Sequence, residues 1–334
     1  MIFFRKHENL SRLEGKNFYL LNAEVLITQK CNLKCEHCLR GEGSSVDVSD
    51  ETLNNLFKNI KEIGNLCLGG GEPSLLPERL NKTLEIIKQN NVIVHNINVT
   101  SNGLDYNEEF ADILLKFREY VKECRQKQEN KLELEKIDFE LRISLDDFHL
   151  FAIEKQGRTL TEVLDNIKKY QEKLGEDGVR ASYGCDYDIL NVGRAMKVNT
   201  AVPKVKQVKV QKYPYLVINN HCFIGSVITM GSKGDIIPTN IPFEQEQVRS
   251  AGNVNFDKFS SILSNLDMIK VENDDMFDKV DIKQVKKMGI PTSHIKRYEM
   301  SKRFEKRKAI EMLLIERNQK LKEDYETFEF EPAK

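Results

Sequence analysis

The sequence has no long hydrophobic run and almost no excess of charge of either sign. Its 334 residues contain 51 Lys and Arg against 52 Asp and Glu, a formal net charge of -1, so no general attraction to nucleic acid is expected. No apolar stretch approaches the length of a membrane span, and the apolar part of residues 1–6 is too short for a secretory signal. We therefore expect neither membrane nor nucleic acid as a partner.

Cysteine is scarce, with seven residues and no secretion signal. This usage argues against disulfide bonds and for a reducing cytoplasm as the compartment. Three of the seven, Cys31, Cys35 and Cys38, stand close together after an apolar run that ends at Ile27. The chain has no second pair of closely spaced cysteines, which argues against a zinc knuckle, but a zinc site completed by His37 remains an alternative.

Three thiolates on one loop can hold an iron–sulfur cluster, which normally takes four cysteines. A cubane cluster held by three thiolates has one iron with an open coordination position. An open position on a metal centre is typical of a catalytic site.

Segments of strand character alternate with segments of helix character from residue 23 to about residue 184. The predicted strands cover 24–28, 65–68, 92–100, 137–144 and 179–183, and the predicted helices cover 49–63, 78–89, 108–128 and 159–174. This alternation predicts parallel βαβ units and an α/β fold class. Ligands of such sheets lie at the carboxyl ends of the strands.

A glycine-rich segment, residues 69–73 with the sequence GGGEP, follows the second predicted strand. Glycines let the backbone approach a ligand closely, and Glu72 can accept a hydrogen bond from an ammonium group. The spacing CxxxCxxC, followed about one β-α unit later by GGEP, resembles the radical S-adenosylmethionine (radical SAM) enzymes. The resemblance implies a partial (β/α)6 barrel over residues 23–200, one [4Fe-4S] cluster on Cys31, Cys35 and Cys38, and S-adenosyl-L-methionine as cofactor.

The resemblance also implies contacts to S-adenosylmethionine from residues at the strand ends. Gly70, Gly71 and Glu72 match the element that holds the methionine amino group. The other expected contacts are His37 near the adenine, Ser101 and Asn102 after the third strand, and Ser144 and Asp146 after the fourth. For His37 a packed ring is an equal alternative, and for Asn102 the alternative is an ordinary Asn-Gly turn.

For two further residues, the sequence allows two roles each. His149 either faces the substrate or caps or packs a helix. Arg194, in a GRA segment similar to one near the sixth strand of many relatives, either binds a carboxylate or braces the barrel edge.

Residues 1–22 are predicted to be a lead-in segment, and residues 201–334 a small α+β extension that ends in a long helix. The predicted strands of the extension cover 205–211, 215–218, 226–230 and 235–238, with a hairpin turn at 231–234, and its predicted helices cover 256–263, 274–288 and about 293–324. The hairpin resembles the one that opens auxiliary-cluster domains of the SPASM and twitch type. Thr239 stands where a cysteine usually follows the proline, so we expect a remnant without a second cluster.

Cys222 opens this hairpin and is the candidate catalytic residue. A thiol near the barrel mouth can return a hydrogen atom to a substrate radical, as the donor of related peptide epimerases does. The alternative is a small, buried apolar residue.

The resemblance implies that a flavodoxin- or ferredoxin-like one-electron reductant reduces the cluster, that S-adenosylmethionine is cleaved to a 5′-deoxyadenosyl radical, and that this radical removes hydrogen from a substrate. A peptide or protein is the expected substrate, because the SxDxxH arrangement of Ser144, Asp146 and His149 also occurs in peptide-modifying members. A small molecule such as a nucleotide or amino acid is the alternative. A non-catalytic iron–sulfur sensor is an alternative of another class, against which the intact GGEP and TSNG segments argue.

Overall fold

The fold was analysed in a computed structural model that describes residues 10, 13, 15, 18–126, 138–182, 194, 213–218, 221–237, 241–266 and 268–270. Within this part, eleven strands form one sheet. The strands are β1 (Phe18–Thr28), β2 (Ile60–Gly70), β3 (Ile93–Val94), β4 (Ile97–Ser101), β5 (Phe139–Ser144), β6 (Val179–Ser182), β7 (Tyr213–Ile218), β8 (His221–Met230), β9 (Asp235–Ile237), β10 (Gly252–Asn253) and β11 (Met268–Lys270). The helices are α1 (Asp50–Phe57), α2 (Pro77–Gln89), α3 (Glu108–Gln126), α4 (Asp147–Glu154), α5 (Leu160–Leu174), α6 (Glu246–Arg249) and α7 (Phe259–Asn265).

Parallel pairing runs through the centre of the sheet, whose order is β10-β9-β8-β1-β2-β4-β5-β6. All neighbours from β8 to β6 pair in parallel, and helices connect the strands from β1 to β6. The predicted α/β class is confirmed, and the consecutive order of these βα units is the one expected of a partial barrel.

Local sequence signals set the start of several helices. The Ser49 side chain accepts from the backbone N–H of Thr52, so Ser49 is the N-cap of α1. Thr159 and Glu162 form a reciprocal capping box at the start of α5, and Gly175 ends that helix with a positive φ of 85°.

Two predicted boundaries were wrong. The first helix ends at Phe57 rather than at residue 63, because Ile60 already begins β2, which pairs along β1 from Phe18 onward. The predicted strand 92–100 is two strands, β3 and β4, because the backbone N–H of His95 donates to the carbonyl of Ile63 and Asn96 separates the two segments.

The predicted lead-in segment also needs correction at its end. Residues 18–22 are the first half of β1 and pair with both β2 and β8. Phe18, for example, lies between Ile60 and Cys222 and packs edge-on against Phe259, with ring centroids 5.0 Å apart. These residues therefore belong to the core of the sheet.

The two faces of the central strands differ in polarity because strand side chains alternate. One face carries fully buried apolar side chains that pack with the helices, including those of Val25, Leu68, Val99 and Leu141, which are neighbours across β1, β2, β4 and β5. The other face carries Glu24, Cys67, Thr100 and Ser144, which line a cavity. The alternation thus separates the hydrophobic core from the candidate site.

The predicted hairpin in the extension is confirmed, since β8 and β9 pair antiparallel through Met230 and Ile236. The same β8 pairs in parallel with β1, so the described strands form one sheet on both sides of the domain boundary predicted at residue 200. That boundary and the likeness to an auxiliary-cluster domain stay predictions. The predicted elements at 205–211, 274–288 and 293–324, with Cys185 and Thr239, lie outside the described residues.

No helix in the described ranges combines the length and apolar character needed to cross a membrane.

Candidate functional site

A cavity of about 290 Å³ lies at the carboxyl ends of β1, β2, β4 and β5. Parallel strands bring their ends to one edge of the sheet, so motifs far apart in the sequence meet there. The lining includes the predicted site residues Cys31, Cys35, His37, Cys38, Gly70, Gly71, Glu72, Ser101, Asn102 and Ser144, together with His149 and Arg194.

The cysteine loop, residues 29–46, is held in shape by hydrogen bonds of its own backbone. Its base is closed where the N–H of Gln29 donates to the carbonyl of Val46 at 2.8 Å. Within it, the N–H of Cys38 donates to the Cys35 carbonyl at 3.2 Å, and the N–H of Leu33 donates to the Cys31 sulfur at 3.4 Å. All three thiols consequently reach the same cavity.

The donor set fits an iron–sulfur cluster better than a zinc ion. Sulfur ligands of tetrahedral zinc, at about 2.3 Å from the metal, lie about 3.8 Å from one another. Within the described part of the chain, the only three potential metal-ligand atoms within 4.8 Å of one another belong to His37, Asp146 and His149, so the thiols are spread more widely than that. Burial and the neighbouring Cys31 and Cys38 thiols raise the pKa of Cys35 to about 12, so a positive centre is needed to hold Cys35 as a thiolate.

Gly70 and Gly71 are required by the backbone, not only by a ligand. A Cβ on Gly70, whose φ is 125°, would lie 2.2 Å from the Thr28 carbonyl oxygen, and one on Gly71 would lie 1.9 Å from that of Lys30. Because these two glycines have no side chain, the end of β2 packs directly against the start of the cysteine loop. Gly69 differs, because a Cβ there would meet nothing within 4 Å, and Gly69 lines the cavity. It leaves space for a bound group.

Glu72 joins the ends of β2 and β4. Its Oε1 accepts from the Ser101 hydroxyl at 2.8 Å and from the Ser74 N–H at 3.0 Å, and its Oε2 accepts from the Asn102 N–H at 2.7 Å. The residue is 1 % exposed, and burial raises the pKa of its carboxyl. A carboxylate offers about four acceptor positions, so one remains for a ligand ammonium.

Ser101 and Asn102 are therefore partly committed to the chain itself. The Asn102 side chain donates to Asn32 at 2.7 Å and accepts from the N–H of Leu104 at 2.9 Å, which forms a local turn and ties it to the cysteine loop. Both the predicted turn and the predicted position beside the cavity are present.

Asp146 caps a helix and contacts two histidines. It is the N-cap of α4, accepting from the N–H groups of Phe148 and His149, and its other oxygen lies 2.6 Å from His149 Nδ1 and 3.4 Å from His37 Nε2. Burial opposes the charged carboxylate, but the hydrogen bonds from His149 and His37 lower the pKa of Asp146 far below its usual value. It is absent from the cavity lining described here, where Ser144 is present. Asp146 positions two histidines, and its contact to S-adenosylmethionine stays a prediction.

The two histidines form the wall next to the third cysteine. The His37 ring stacks on Phe148, with centroids 4.7 Å apart and an interplanar angle of 16°, and meets His149 edge-on at 4.9 Å. Because Asp146 holds Nδ1 of His149, the other ring nitrogen is the one left for a ligand. A metal ion between them is disfavoured, since 2.6 Å between Asp146 and His149 is a hydrogen-bond distance.

Arg194 contacts the cysteine loop directly. Its Nε donates to the Cys35 carbonyl at 2.9 Å, and its backbone N–H donates to the Cys38 carbonyl at 3.0 Å. These contacts brace the cysteine loop, and the two interpretations from the sequence stay predictions.

Sequence reasoning missed several lining residues, among them Glu24, Arg40 and Cys67. Strand alternation could have found Cys67, which is two residues before Gly69 and so shares its face of β2. No local sequence pattern predicts the position of Arg40. Its hydrogen bond to Glu24, at 2.7 Å, joins the cysteine loop to β1.

The predicted position of Cys222 was wrong. Cys222 is fully buried near the start of β8, opposite Phe18 at the start of β1, whereas the cysteine loop follows the other end of β1 at Thr28. Ten residues of extended strand put these ends roughly 30 Å apart. This placement removes the geometric basis for Cys222 as a hydrogen donor.

Comparison with known proteins agrees with the site. Residues 25–122 match the family model described as Radical SAM superfamily. This range contains the cysteine loop and the glycine-rich turn. Over these residues the chain matches the radical SAM superfamily, and the recognition made from the motifs is confirmed there. Members carry a [4Fe-4S] cluster and bind S-adenosylmethionine, the two cofactors that the sequence predicted.

A curated relative, the probable GTP 3′,8-cyclase of Archaeoglobus fulgidus, is 32% identical over 108 residues, which are 31% of this chain and 32% of the relative. The chain thus matches about a third of the length of that relative. Among solved structures, anSMEcpe with bound AdoMet has a TM-score of 0.39 and 11% identity, covering 79% of this chain and 83% of that one. Streptococcus suis SuiB bound to its precursor peptide SuiA has a TM-score of 0.34 and 12% identity, covering 77% and 67%.

Proposed function

We propose that this protein is a radical SAM enzyme whose cluster is held by Cys31, Cys35 and Cys38 and whose cavity binds S-adenosylmethionine. The observation that carries the proposal is the meeting of three thiols and the Glu72 carboxylate in one cavity, with Gly69 leaving its wall open. When bound, the two cofactors together supply a strongly oxidising carbon radical that removes a hydrogen atom from a substrate.

The chain's own residues bind and orient the cofactor and shield it from water. Glu72 has one acceptor position left for the methionine ammonium, and its three hydrogen bonds fix the direction of that position. Ser144 offers a hydroxyl, and His149 offers the ring nitrogen that Asp146 does not hold. The low-potential electron comes from a flavodoxin- or ferredoxin-like partner in a reducing cytoplasm.

A peptide or protein is the first candidate substrate, from the SxDxxH arrangement of Ser144, Asp146 and His149. Since Asp146 caps a helix, the support comes from Ser144 and His149, which both line the cavity. A nucleotide is the second candidate, favoured by the name of the Archaeoglobus fulgidus relative.

The test of the proposed function is anaerobic reconstitution with iron and sulfide. The wild-type chain should hold about four irons, the content of one cubane, and should release 5′-deoxyadenosine from S-adenosylmethionine when dithionite is added. The triple variant Cys31→Ala, Cys35→Ala, Cys38→Ala should lose both properties. Cys124→Ala is the matched control, because Cys124 is a buried cysteine of α3. A cubane signal in the triple variant would contradict the assignment.

The same assay separates the substrate candidates. Addition of GTP should leave the rate of 5′-deoxyadenosine formation unchanged if the substrate is a peptide. A several-fold increase, with GTP consumed, would favour the nucleotide candidate.

A further inference from the structure

Arg194 lies where it can act on the cluster through both its backbone contacts and its charge. We propose that Arg194 is a positioning residue that fixes the second and third cluster ligands and raises the cluster's reduction potential with a permanent positive charge. This inference rests on the proposed function, because it requires a cluster on the three cysteines.

The contacts are specific to the ligand residues. The Cys35 carbonyl accepts from Cys38 N–H at 3.2 Å and from Arg194 Nε at 2.9 Å. The Cys38 carbonyl accepts from Gly41 N–H at 3.2 Å and from Arg194 N–H at 3.0 Å. Arg194 thus adds one hydrogen bond to each carbonyl from a part of the chain 156 or more residues away, which local loop geometry cannot supply.

Among the described residues, the charge of Arg194 is only weakly neutralised. The cationic side chains that line the cavity there are Arg40 and Arg194. Arg40 is bonded to Glu24 at 2.7 Å, whereas the carboxylate that the described residues place near Arg194 is that of Glu42, at 3.6 Å. The Glu42 side chain is 66% exposed and that of Arg194 13%, so solvent screens the carboxylate more than the guanidinium.

A guanidinium stays protonated at any working pH, so its effect on the cavity is constant. Reduction of the cluster adds one negative charge beside it. A nearby fixed cation favours the more negative state and therefore makes the reduction potential less negative. Since the reductant must deliver an electron to a group already bound by three thiolates, this contribution makes the reduction easier.

The experiment compares Arg194→Gln, Arg194→Lys and the surface control Arg158→Gln in the full-length reconstituted protein. Arg158 pairs with Asp105 and Glu162 in solvent. Iron content is measured first, and then the midpoint potential by a redox titration followed by EPR, without S-adenosylmethionine. For Arg194→Gln we expect the midpoint potential to become more negative by at least 59 mV. For a one-electron couple, this raises the ratio of oxidised to reduced cluster at least tenfold at a given solution potential. Arg194→Lys, which keeps the charge, should restore most of the potential, and Arg158→Gln should match the wild type.

A wild-type potential in Arg194→Gln would overturn the inference, and so would an equal shift in Arg194→Lys, because charge would then not be the cause. If Arg194→Gln fails to retain iron, Arg194→Lys decides the charge effect: retained iron with a potential close to that of the wild type supports the proposal, and loss of iron or a lowered potential in this variant overturns it. Failure of the wild-type chain to take up iron would instead contradict the proposed function.

Discussion

Glu72 combines a structural role with a binding role in one carboxylate. Three hydrogen bonds from Ser74, Ser101 and Asn102 use most of its acceptor capacity, and they link two strand ends across 29 and 30 residues of sequence. The remaining acceptor position faces a cavity that also contains the cluster cysteines. The group that would bind the cofactor is thus oriented before the cofactor arrives, which reduces the entropy lost on binding.

Substitution of Glu72 should separate these roles. Glu72→Ala leaves three buried donors without their acceptor and should lower the free energy of unfolding by about 3 kcal/mol. Glu72→Gln keeps one carbonyl acceptor and should cost less, but it lacks the negative charge for an ammonium. Calorimetric titration should therefore show at least tenfold weaker S-adenosylmethionine binding for Glu72→Gln with the cluster retained. Equal affinity in Glu72→Gln and wild type would move the ammonium site elsewhere.

Asp146 allows a similar separation at the start of α4. Asparagine caps helices about as well as aspartate, whereas alanine costs about 1 kcal/mol. We expect thermal unfolding to detect a larger loss in Asp146→Ala, which removes both the cap and the charge, than in Asp146→Asn, which removes the charge alone. Both variants should loosen His37 and His149, since their carboxylate partner is gone. Unfolding temperatures that fall equally in the two variants would show that the charge, not the cap, stabilises the fold.

The outcome for single residues depended on how local the signal was. Gly70, Gly71, Glu72, Ser101 and Asn102 stand in short motifs directly after strands, and all five line the cavity as predicted. Cys222 was misplaced because its position depends on pairing between β8 and β1, about 200 residues apart, for which no local pattern exists.

Between elements, the ends of β1 and β2 are in direct backbone contact next to the site. The N–H of Gly71 donates to the Thr28 carbonyl and that of Glu72 to the Lys30 carbonyl, each at 2.7 Å. The cysteine loop begins at this point, so the glycine-rich turn acts as its support. The glycine-rich motif is therefore in direct backbone contact with the residues immediately before the cysteine motif.

Alanine substitutions along the turn should give opposite results. Gly71→Ala puts a Cβ against the Lys30 carbonyl and should lower the free energy of unfolding by about 2–3 kcal/mol, because a backbone atom cannot give way. Gly69→Ala meets nothing in the chain and should keep wild-type stability, but its methyl group enters the cavity and should weaken S-adenosylmethionine binding. Denaturant unfolding and calorimetric titration check both. Normal affinity in Gly69→Ala would show that no ligand lies against this wall.

Element type was easier to predict than element length. The helices α2, α3 and α5 begin within a residue of their predicted starts, where capping signals or Pro77 mark them. The start of β2 was missed because Ile60-Lys61-Glu62-Ile63 continues a helical apolar spacing, and only its pairing with β1 makes it a strand.

In the whole molecule, the segment after β9 closes the cavity from outside the βα units. Arg40 of the cysteine loop donates to the Ile241 carbonyl at 3.1 Å, and Phe243 lines the cavity. Next to them, Glu246 of α6 is 2% exposed, receives only a long bond of 3.4 Å from Gln29, and has an Oε1 with no partner in the described structure. A buried acid thus lies between the cysteine loop and the β8–β9 hairpin.

This acid should make stability depend on pH. Burial raises the pKa of Glu246 from 4.5 to about 7, against the attraction of Arg40 and together with the repulsion of Asp235 and Glu24. The native state therefore binds this proton more tightly than the unfolded chain, and the free energy of unfolding falls as pH rises from about 4.5 to about 7. Glu246→Gln removes the titrating group. The free energy of unfolding of this variant, relative to that of the wild type, should therefore increase by about 3 kcal/mol between pH 4 and pH 8. Urea unfolding at both pH values measures this difference. The control is Glu244→Gln, at an exposed position of the same segment, which should show no such increase. An equal increase in Glu244→Gln, or no increase in Glu246→Gln, would show that Glu246 is solvated as an ordinary carboxylate.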